Sequence, residues 1–258
     1  MGRGLEIGLL VACSVVAQGQ VAQKDQTASL QAELDQLGAQ AQSLQNDLPS
    51  FTCKETGLSQ ELKKGKVKEQ VRFVADLRVE RAAGGRLDEQ LEVTEVNGKP
   101  YPRGKFEPPF MVKGGFGESL FFFLPGTQAC FQYSMGVGRI DFASPPGTFD
   151  RPQCTNTGAP SGFALLDQVG NATHLERRVD PEFAGQVHVV DFTAIDFVPT
   201  ELDGKVYPLT AKMVADVPKE DGVTLHFEAM YTGCHLFKAT SRILPGETVV
   251  PDAGTTHP

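Results

Sequence analysis

Residues 203–231, DGKVYPLTAKMVADVPKEDGVTLHFEAMY, decide the fold class. Apolar and polar residues alternate here with a period of two, the pattern of a strand with one buried face. Asp203-Gly204 and Asp221-Gly222 are turn dipeptides typical of hairpins. The residues expected to face inward are Ala211, Met213, Ala215 and Val217 on one strand, and Val223, Leu225, Phe227, Ala229 and Tyr231 on the next. The stretch therefore predicts an antiparallel meander.

The same alternation appears earlier in the chain. Val71–Val79 predicts a half-buried strand, and Asn97-Gly98 predicts a further hairpin turn. Residues 131–142 predict another strand, in which Gly136 and Gly138 indicate a bulge. The whole pattern predicts roughly eight to eleven antiparallel strands in a strongly curved sheet or open barrel. We expect this domain to span residues 50–244.

Residues 24–48 form the one convincing long helix of the sequence. Its apolar seam has the spacing of heptad a and d positions, and Pro49 ends it. The seam consists of Leu30, Leu34, Leu37, Ala41, Leu44 and Leu48. Two interpretations stay open: the helix packs on its own sheet, or it mediates self-association or binds a partner.

The segment Phe106–Pro125 is unusually rich in phenylalanine, and we expect it to contain a short helix. Three consecutive phenylalanines, Phe121–Phe123, point in different directions on any regular element. The segment is therefore either a plug that fills the sheet's interior or a glycine-hinged flap over an apolar cavity. The candidate ligand-binding residues are Phe73, Leu77, Phe110, Phe116, Leu120, Phe121, Phe122, Phe123, Tyr133 and Met135.

The N-terminus has the features of an export signal. Arg3 precedes the apolar stretch Ile7–Ala17, which is too short to span a bilayer, and cleavage after Gly19 would remove residues 1–19. Alternatively, Leu10–Cys13 resembles a lipobox, with Cys13 as the lipidated residue. We expect the tail 245–258, rich in Pro, Gly and Thr, to be disordered.

Four further cysteines are widely spaced, and no C-x-x-C motif occurs. An even number of cysteines in an exported chain indicates disulfides. Three pairings are possible. We favour Cys130–Cys154, which flanks a proline-rich turn, and Cys53–Cys234, which ties the first strand of the domain to the last.

Composition and motifs exclude several function classes. Of the 258 residues, 40% are apolar and 22% charged, and the net charge of −8 without a basic cluster disfavours nucleic-acid binding. No nucleophile elbow, phosphate-binding loop, dinucleotide fingerprint or zinc motif is present. We therefore predict a chain without cofactor or metal that is not an enzyme.

Two stretches carry a resemblance to known proteins. Leu48–Cys53 joins a helix to a strand, and residues 185–243 form paired hairpins with a strand ending in Phe227–Tyr231. Together they resemble uncharacterised exported bacterial proteins similar to the periplasmic lipoprotein-carrier superfamily. The resemblance covers residues 27–243 and implies an α+β fold: a mainly antiparallel, unclosed β-barrel with one long N-terminal helix and a short Phe-rich helix.

The functional expectation combines the resemblance with the excess of phenylalanine, 17 residues against no Trp. It is an exported protein of the periplasm or outer-membrane envelope that binds a lipid or lipoprotein acyl chain on the concave sheet face. The alternative is a non-catalytic structural or partner-binding envelope protein that associates through residues 24–48.

Overall fold

The computed structural model describes residues 14–82, 84–102, 106–145, 154, 160–179 and 192–237. Within these ranges 11 strands form one antiparallel sheet. In chain order the elements are α1 (Ser14–Asn46), β1 (Phe51–Lys63), β2 (Lys66–Arg81), β3 (Leu87–Val96), β4 (Lys99–Pro100), a 3₁₀ turn (Phe121–Phe123), α2 (Pro125–Gln128), β5 (Gln132–Gly136), β6 (Arg139–Ala143), β7 (Pro160–Leu166), β8 (Ala172–Val179), β9 (Phe192–Leu202), β10 (Lys205–Pro218) and β11 (Val223–Leu236).

The order of the strands shows which strands pair and which form the edges of the sheet. It runs β4-β3-β2-β1-β11-β10-β9-β8-β7-β6-β5, so the first strand pairs with the last. The two open edges are β4 and β5, which are consecutive along the chain. The predicted fold class, a mainly antiparallel unclosed sheet with one long helix and short helical pieces, is confirmed.

The hairpin turns lie where the dipeptides predict them. Asn97, Asp203 and Asp221 have φ of 51°, 53° and 60°, and a glycine follows each of them with φ also positive. The predicted single strand over 131–142 is wrong, because β5 and β6 pair with each other as a hairpin. Gly138, with φ of 61°, lies in the tight turn between them rather than in a bulge.

Bulges interrupt the ladders at several points, and each bends the sheet. Register shifts lie between Thr52 and Lys54, between Val74 and Ala75, and between Thr210 and Lys212. On β1 and β2 every second residue is buried, as in Phe51, Cys53 and Glu55. One sheet face thus forms the concave inner surface and contributes most of the core.

Helix α1 packs its apolar seam inside the domain. It begins ten residues before the predicted start and ends at Asn46, two residues before the predicted end. Leu34, Leu37, Ala41 and Leu44 are almost fully buried in the core, and the helix contacts β10 and the 3₁₀ turn. The seam itself is therefore intramolecular, and self-association through residues 24–48 stays a prediction.

Arg81 fastens the C-terminal end of α1 to the sheet. Its guanidinium donates hydrogen bonds to the carbonyl oxygens of Gln45 (2.8 Å) and Leu48 (2.8 and 2.9 Å), and also to Gly85. The Arg81 backbone N–H donates to Ser50 Oγ at 3.0 Å. A cation is favourable at this end, because helix C-terminal carbonyls are unpaired and carry a partial negative charge.

Both predicted disulfides are present. Cys53–Cys234 joins β1 to β11 across 181 residues, and Cys130–Cys154 closes a separation of 24 residues. The first bond therefore covalently joins the first strand of the sheet to the last. Cys13 lies outside the described residues, as do the predicted cleavable segment up to residue 13 and the tail 245–258.

We expect Arg81→Met to lower the free energy of unfolding by about 2–4 kcal/mol, because several helix carbonyls lose their donors together. Urea unfolding followed by circular dichroism measures the change. Arg86→Met is the matched control, since the Arg86 side chain is 77% exposed and forms an ion pair with Asp88 at 2.8 Å. Equal losses of unfolding free energy in both variants would contradict a specific role of Arg81 in holding the C-terminal end of α1.

Candidate functional site

The concave face is covered by the part of the chain that links the two sheet edges. We call residues 106–131 the crossing segment. Its Phe116 contacts Phe51 on β1, the fourth strand from the β4 edge, and its Phe122 contacts Phe142 on β6, next to the β5 edge. The crossing segment therefore runs over the inner surface of the sheet, where the sequence analysis placed the candidate site.

The first aromatic cluster lies over the central strands. The Phe116 ring is 5.2 Å from Phe51 and 5.0 Å from Tyr231, both edge to face. Beside it, Phe227 lies 6.4 Å from both Phe73 and Phe110. Edge-to-face pairs of this kind stabilise beyond the apolar area that they bury.

The second aromatic cluster lies near the β5 edge. Phe122 stacks on Phe142 at 4.9 Å, and Phe131 meets both rings edge to face. Phe123 lies 6.0 Å from Tyr133, whose hydroxyl donates a hydrogen bond to the Phe122 carbonyl at 2.6 Å. Burial raises the pKa of Tyr133.

The ten candidate ligand-binding residues differ in burial, and six of them belong to these clusters. Six are buried: Phe73, Leu77, Phe116, Leu120, Phe122 and Phe123. Phe110, Phe121 and Tyr133 are half-buried. Met135 is 40% exposed and apart from both clusters, with its sulfur 3.9 Å from Ser29 Oγ. In this conformation the crossing segment packs into the interior of the sheet, as expected for a plug rather than for an open flap. A ligand-binding role for these residues stays a prediction.

A few polar contacts anchor the crossing segment to the strands. Ser59 Oγ donates to the Phe110 carbonyl at 2.6 Å and accepts from the Phe110 N–H at 2.9 Å. The Glu89 carboxylate accepts from the N–H groups of Gly114 (2.7 Å) and Gly115 (3.0 Å). Successive backbone N–H groups of this kind form an anion-binding nest.

Glycine is required in this nest. A Cβ on Gly114 would lie 2.4 Å from the Phe116 ring and 3.1 Å from the Tyr231 hydroxyl oxygen, and Gly115 has φ of 63°. The nest therefore sits directly on the first aromatic cluster, and only glycine allows the backbone to approach so closely.

Beneath the nest lies a cluster of buried acidic groups. Glu55 is 4% exposed and directly opposite Tyr231 in the β1–β11 ladder. Burial, reinforced by the negative charge of Glu89, raises the pKa of Glu55 to about 8. Burial also raises the pKa of Glu89, while hydrogen bonds from Gly114, Phe116 and Gly115 oppose that shift. Glu55 is therefore mainly uncharged at neutral pH.

Tyr231 completes this cluster. Its hydroxyl is buried and has no hydrogen-bond partner among the described residues. Burial first, and then the charges of Glu55 and Glu89, raise its pKa. The sequence predicts that Tyr231 faces inward, whereas Glu55 and Glu89 are not among the predicted site residues. Glu55 falls in phase with Phe51 and Cys53, a signal for an inward-facing carboxyl group.

Two surface clefts have volumes of about 630 and 600 Å³. The larger lies beside the acidic cluster and is lined by Arg81, Glu89, Lys113 and Gly115, among others. The smaller lies beside Cys234. Neither is lined by Phe121–Phe123, of which Phe122 and Phe123 are buried in the core.

Of the three described histidines, two lie beside aspartates, and His235 Nδ1 lies 2.7 Å from the Gly233 carbonyl oxygen. His226 Nδ1 lies 2.7 Å from Asp216 Oδ1, and His174 Nδ1 lies 2.6 Å from Asp196 Oδ1, both across neighbouring strands. No group of three potential metal ligands occurs in the described part of the chain.

No helix among the described residues is both long and apolar enough to cross a membrane.

Comparisons with known proteins give similarities in structure alone. No family model and no curated protein matches the sequence. A LolA superfamily protein from Nitrosomonas europaea is similar over 80% of this chain and 94% of its own, with 7% identity and a TM-score of 0.33. A DUF1329 family protein from Desulfovibrio piger is similar over 82% and 94%, with 11% identity and a TM-score of 0.37.

Lipovitellin is similar over 76% of this chain and 26% of its own, with 11% identity and a TM-score of 0.29. At these TM-scores the likenesses carry no argument about function, and the fold is established by the strand order and register described above.

The buried Glu55 makes stability depend on pH. Its pKa is about 8 in the folded protein against 4.5 for an ordinary glutamate, so the folded chain holds the proton more tightly. The free energy of unfolding should therefore fall as pH rises from about 5 to about 8. Urea unfolding at several pH values measures this fall, and Glu55→Gln should reduce it. Glu69→Gln, at an exposed position on β2, should leave it unchanged; an identical pH profile in all three proteins contradicts the assignment.

Proposed function

We propose that this chain is an exported cell-envelope protein that binds an apolar ligand, a lipid or a lipoprotein acyl chain, on the concave face of its sheet. In the conformation described here the crossing segment occupies that face. The ligand therefore enters by displacing the crossing segment. On ligand binding this segment acts as the glycine-hinged flap that the sequence allows.

One observation carries this proposal: the inner face is covered by aromatic side chains on a segment that is not a strand. Phe116, Leu120 and Phe123 are each at most 1% exposed. The hydrogen bonds between the crossing segment's backbone and side chains of the strands include those of Ser59, Glu89, Thr210 and Tyr133. A segment held by side-chain packing moves without breaking the strand ladders.

The energetic balance permits such an exchange. Burying a 16-carbon chain at about 0.8 kcal/mol per methylene gains roughly 12 kcal/mol before ordering costs. Exposing a phenylalanine costs about 1.5–3 kcal/mol. An acyl chain that replaces three or four phenylalanine rings therefore roughly balances their exposure.

The disulfides support export, since such bonds persist in oxidising compartments. Within that proposal, removal of residues 1–19 gives a soluble protein, while modification of Cys13 gives a lipid-anchored one. Mass spectrometry of the mature N-terminus distinguishes the two.

The filled concave face favours a second candidate function. If the crossing segment never leaves, the chain is a non-catalytic structural or partner-binding protein of the envelope, associating through its N-terminal helix. Lipid extraction from protein purified from its own envelope separates the two functions: a co-purifying lipid supports the carrier.

We expect Glu89→Ala to speed the binding of a fluorescent 16-carbon fatty acid by about tenfold. The variant removes two charge-assisted hydrogen bonds to the crossing segment, which lowers the cost of opening it. Stopped-flow fluorescence measures the association rate, with Glu69→Ala as the control. Failure of both variants and the unmodified chain to bind, together with an absence of co-purifying lipid, would favour the partner-binding function.

A further inference from the structure

Arg177 is a cation directed at the inner face of the sheet. On β8 it lies between Leu175 and Val179, which share its phase and are 1% and 6% exposed. Its guanidinium carbon lies 5.7 Å from the centre of the Phe122 ring, in the second aromatic cluster. Among the described residues no carboxylate forms an ion pair with it, whereas its neighbour Arg178 lies 3.6 Å from Glu176.

A second unsatisfied polar group lies beside it. Arg177 and Thr193 are direct partners in the β8–β9 ladder. Thr193 is 4% exposed, and its hydroxyl has no hydrogen-bond partner within the described ranges. Two adjacent donors, one charged and one neutral, thus face the same inner surface.

The position of this pair on the inner face is set by the strand register. Gly162, Arg177, Thr193 and Ala215 lie in one row across β7, β8, β9 and β10. The row continues to Phe142 on one side and to Phe227 on the other. The two polar residues therefore lie between the two aromatic clusters, flanked by small side chains.

Burying an unpaired charge is expensive, and proteins compensate it with an opposite charge or hydrogen bonds. Burial also lowers the pKa of Arg177. A guanidinium matches the geometry of carboxylate and phosphate oxygens, which accept several of its N–H groups at once. A hydroxyl on the neighbouring strand adds one more donor.

We propose that Arg177 and Thr193 form an oxyanion subsite that binds the carboxylate or phosphate head group of an amphipathic ligand. This inference rests on the proposed function, because the apolar tail of that ligand takes the place of the crossing segment's phenylalanines. The ligand class is thereby an anionic lipid rather than a neutral one.

The test compares ligands that differ only in the head group. Binding of palmitate and of hexadecanol, which share a 16-carbon chain, is measured by displacement of a fluorescent fatty acid. Palmitate should bind the unmodified protein roughly 10- to 100-fold more tightly, the effect of a charge-assisted hydrogen-bond pair. A thermal shift with inorganic phosphate alone provides a second readout that needs no apolar tail.

The variants separate the subsite from general folding effects. Arg177→Met should abolish both the palmitate preference and the phosphate shift without lowering stability, since replacing a buried unpaired charge by an apolar side chain is not destabilising. Thr193→Val should reduce the preference, and Arg177→Lys should retain part of it. Arg178→Met is the matched control, because this neighbour points to the opposite face and its side chain is 64% exposed.

Each outcome decides the inference. Equal binding of palmitate and hexadecanol, or a preference that survives in Arg177→Met, overturns the subsite while leaving the proposed function intact. An Arg177-dependent phosphate shift without binding of any 16-carbon ligand supports an anion site and removes the proposed function. If phosphate causes no thermal shift and no 16-carbon ligand binds, both the subsite and the proposed function are wrong.

Discussion

The pairing of the first strand with the last is the constraint on which this structure depends. Because β1 and β11 lie side by side, and Cys53–Cys234 joins them covalently, the sheet cannot have its edges at the chain ends. The edges are instead β4 and β5, which follow each other in sequence. The residues between them must travel from one side of the sheet to the other, and the curvature of the sheet offers its inner face as the path.

The path of the crossing segment over the inner face explains why the interior of the sheet is not uniformly apolar. A core that serves packing alone would contain few polar groups, since each costs free energy unless it is paired. Here Glu55 and Tyr231 lie under the Gly114–Gly115 nest, and Arg177 and Thr193 lie between the aromatic clusters. Their concentration on one face, where the crossing segment covers them, supports the proposal that this face binds a ligand.

The parts of the molecule differ in how they are attached. Strand ladders, the Cys53–Cys234 disulfide and the hydrogen bonds of Arg81 hold the sheet and helix α1 together. The crossing segment is held by ring contacts, by hydrogen bonds such as those from Gly114 and Gly115 to the Glu89 carboxylate, and near its C-terminal end by the Cys130–Cys154 disulfide. Side-chain packing is replaceable by any apolar surface of similar shape, whereas a ladder of backbone hydrogen bonds is not. The chain thus combines a sheet held by backbone hydrogen bonds with a crossing segment packed on it mainly through side chains.

The sequence by itself determined the features that depend on neighbouring residues. Alternation along Val71–Val79, turn dipeptides such as Asp203-Gly204 and the leucine seam of α1 each reflect the geometry of one element, and the spacing of four cysteines left few pairings. The hairpin at Gly138 was mistaken for a bulge, because both conformations place glycine at a break in the apolar pattern. Only the tertiary structure decided that Glu55 and Arg177 face inward beside Tyr231 and Thr193, since these pairs join residues from different strands by register. It also decided that the crossing segment fills the concave face, because which strands form the edges is a property of the whole sheet and not of any segment within it.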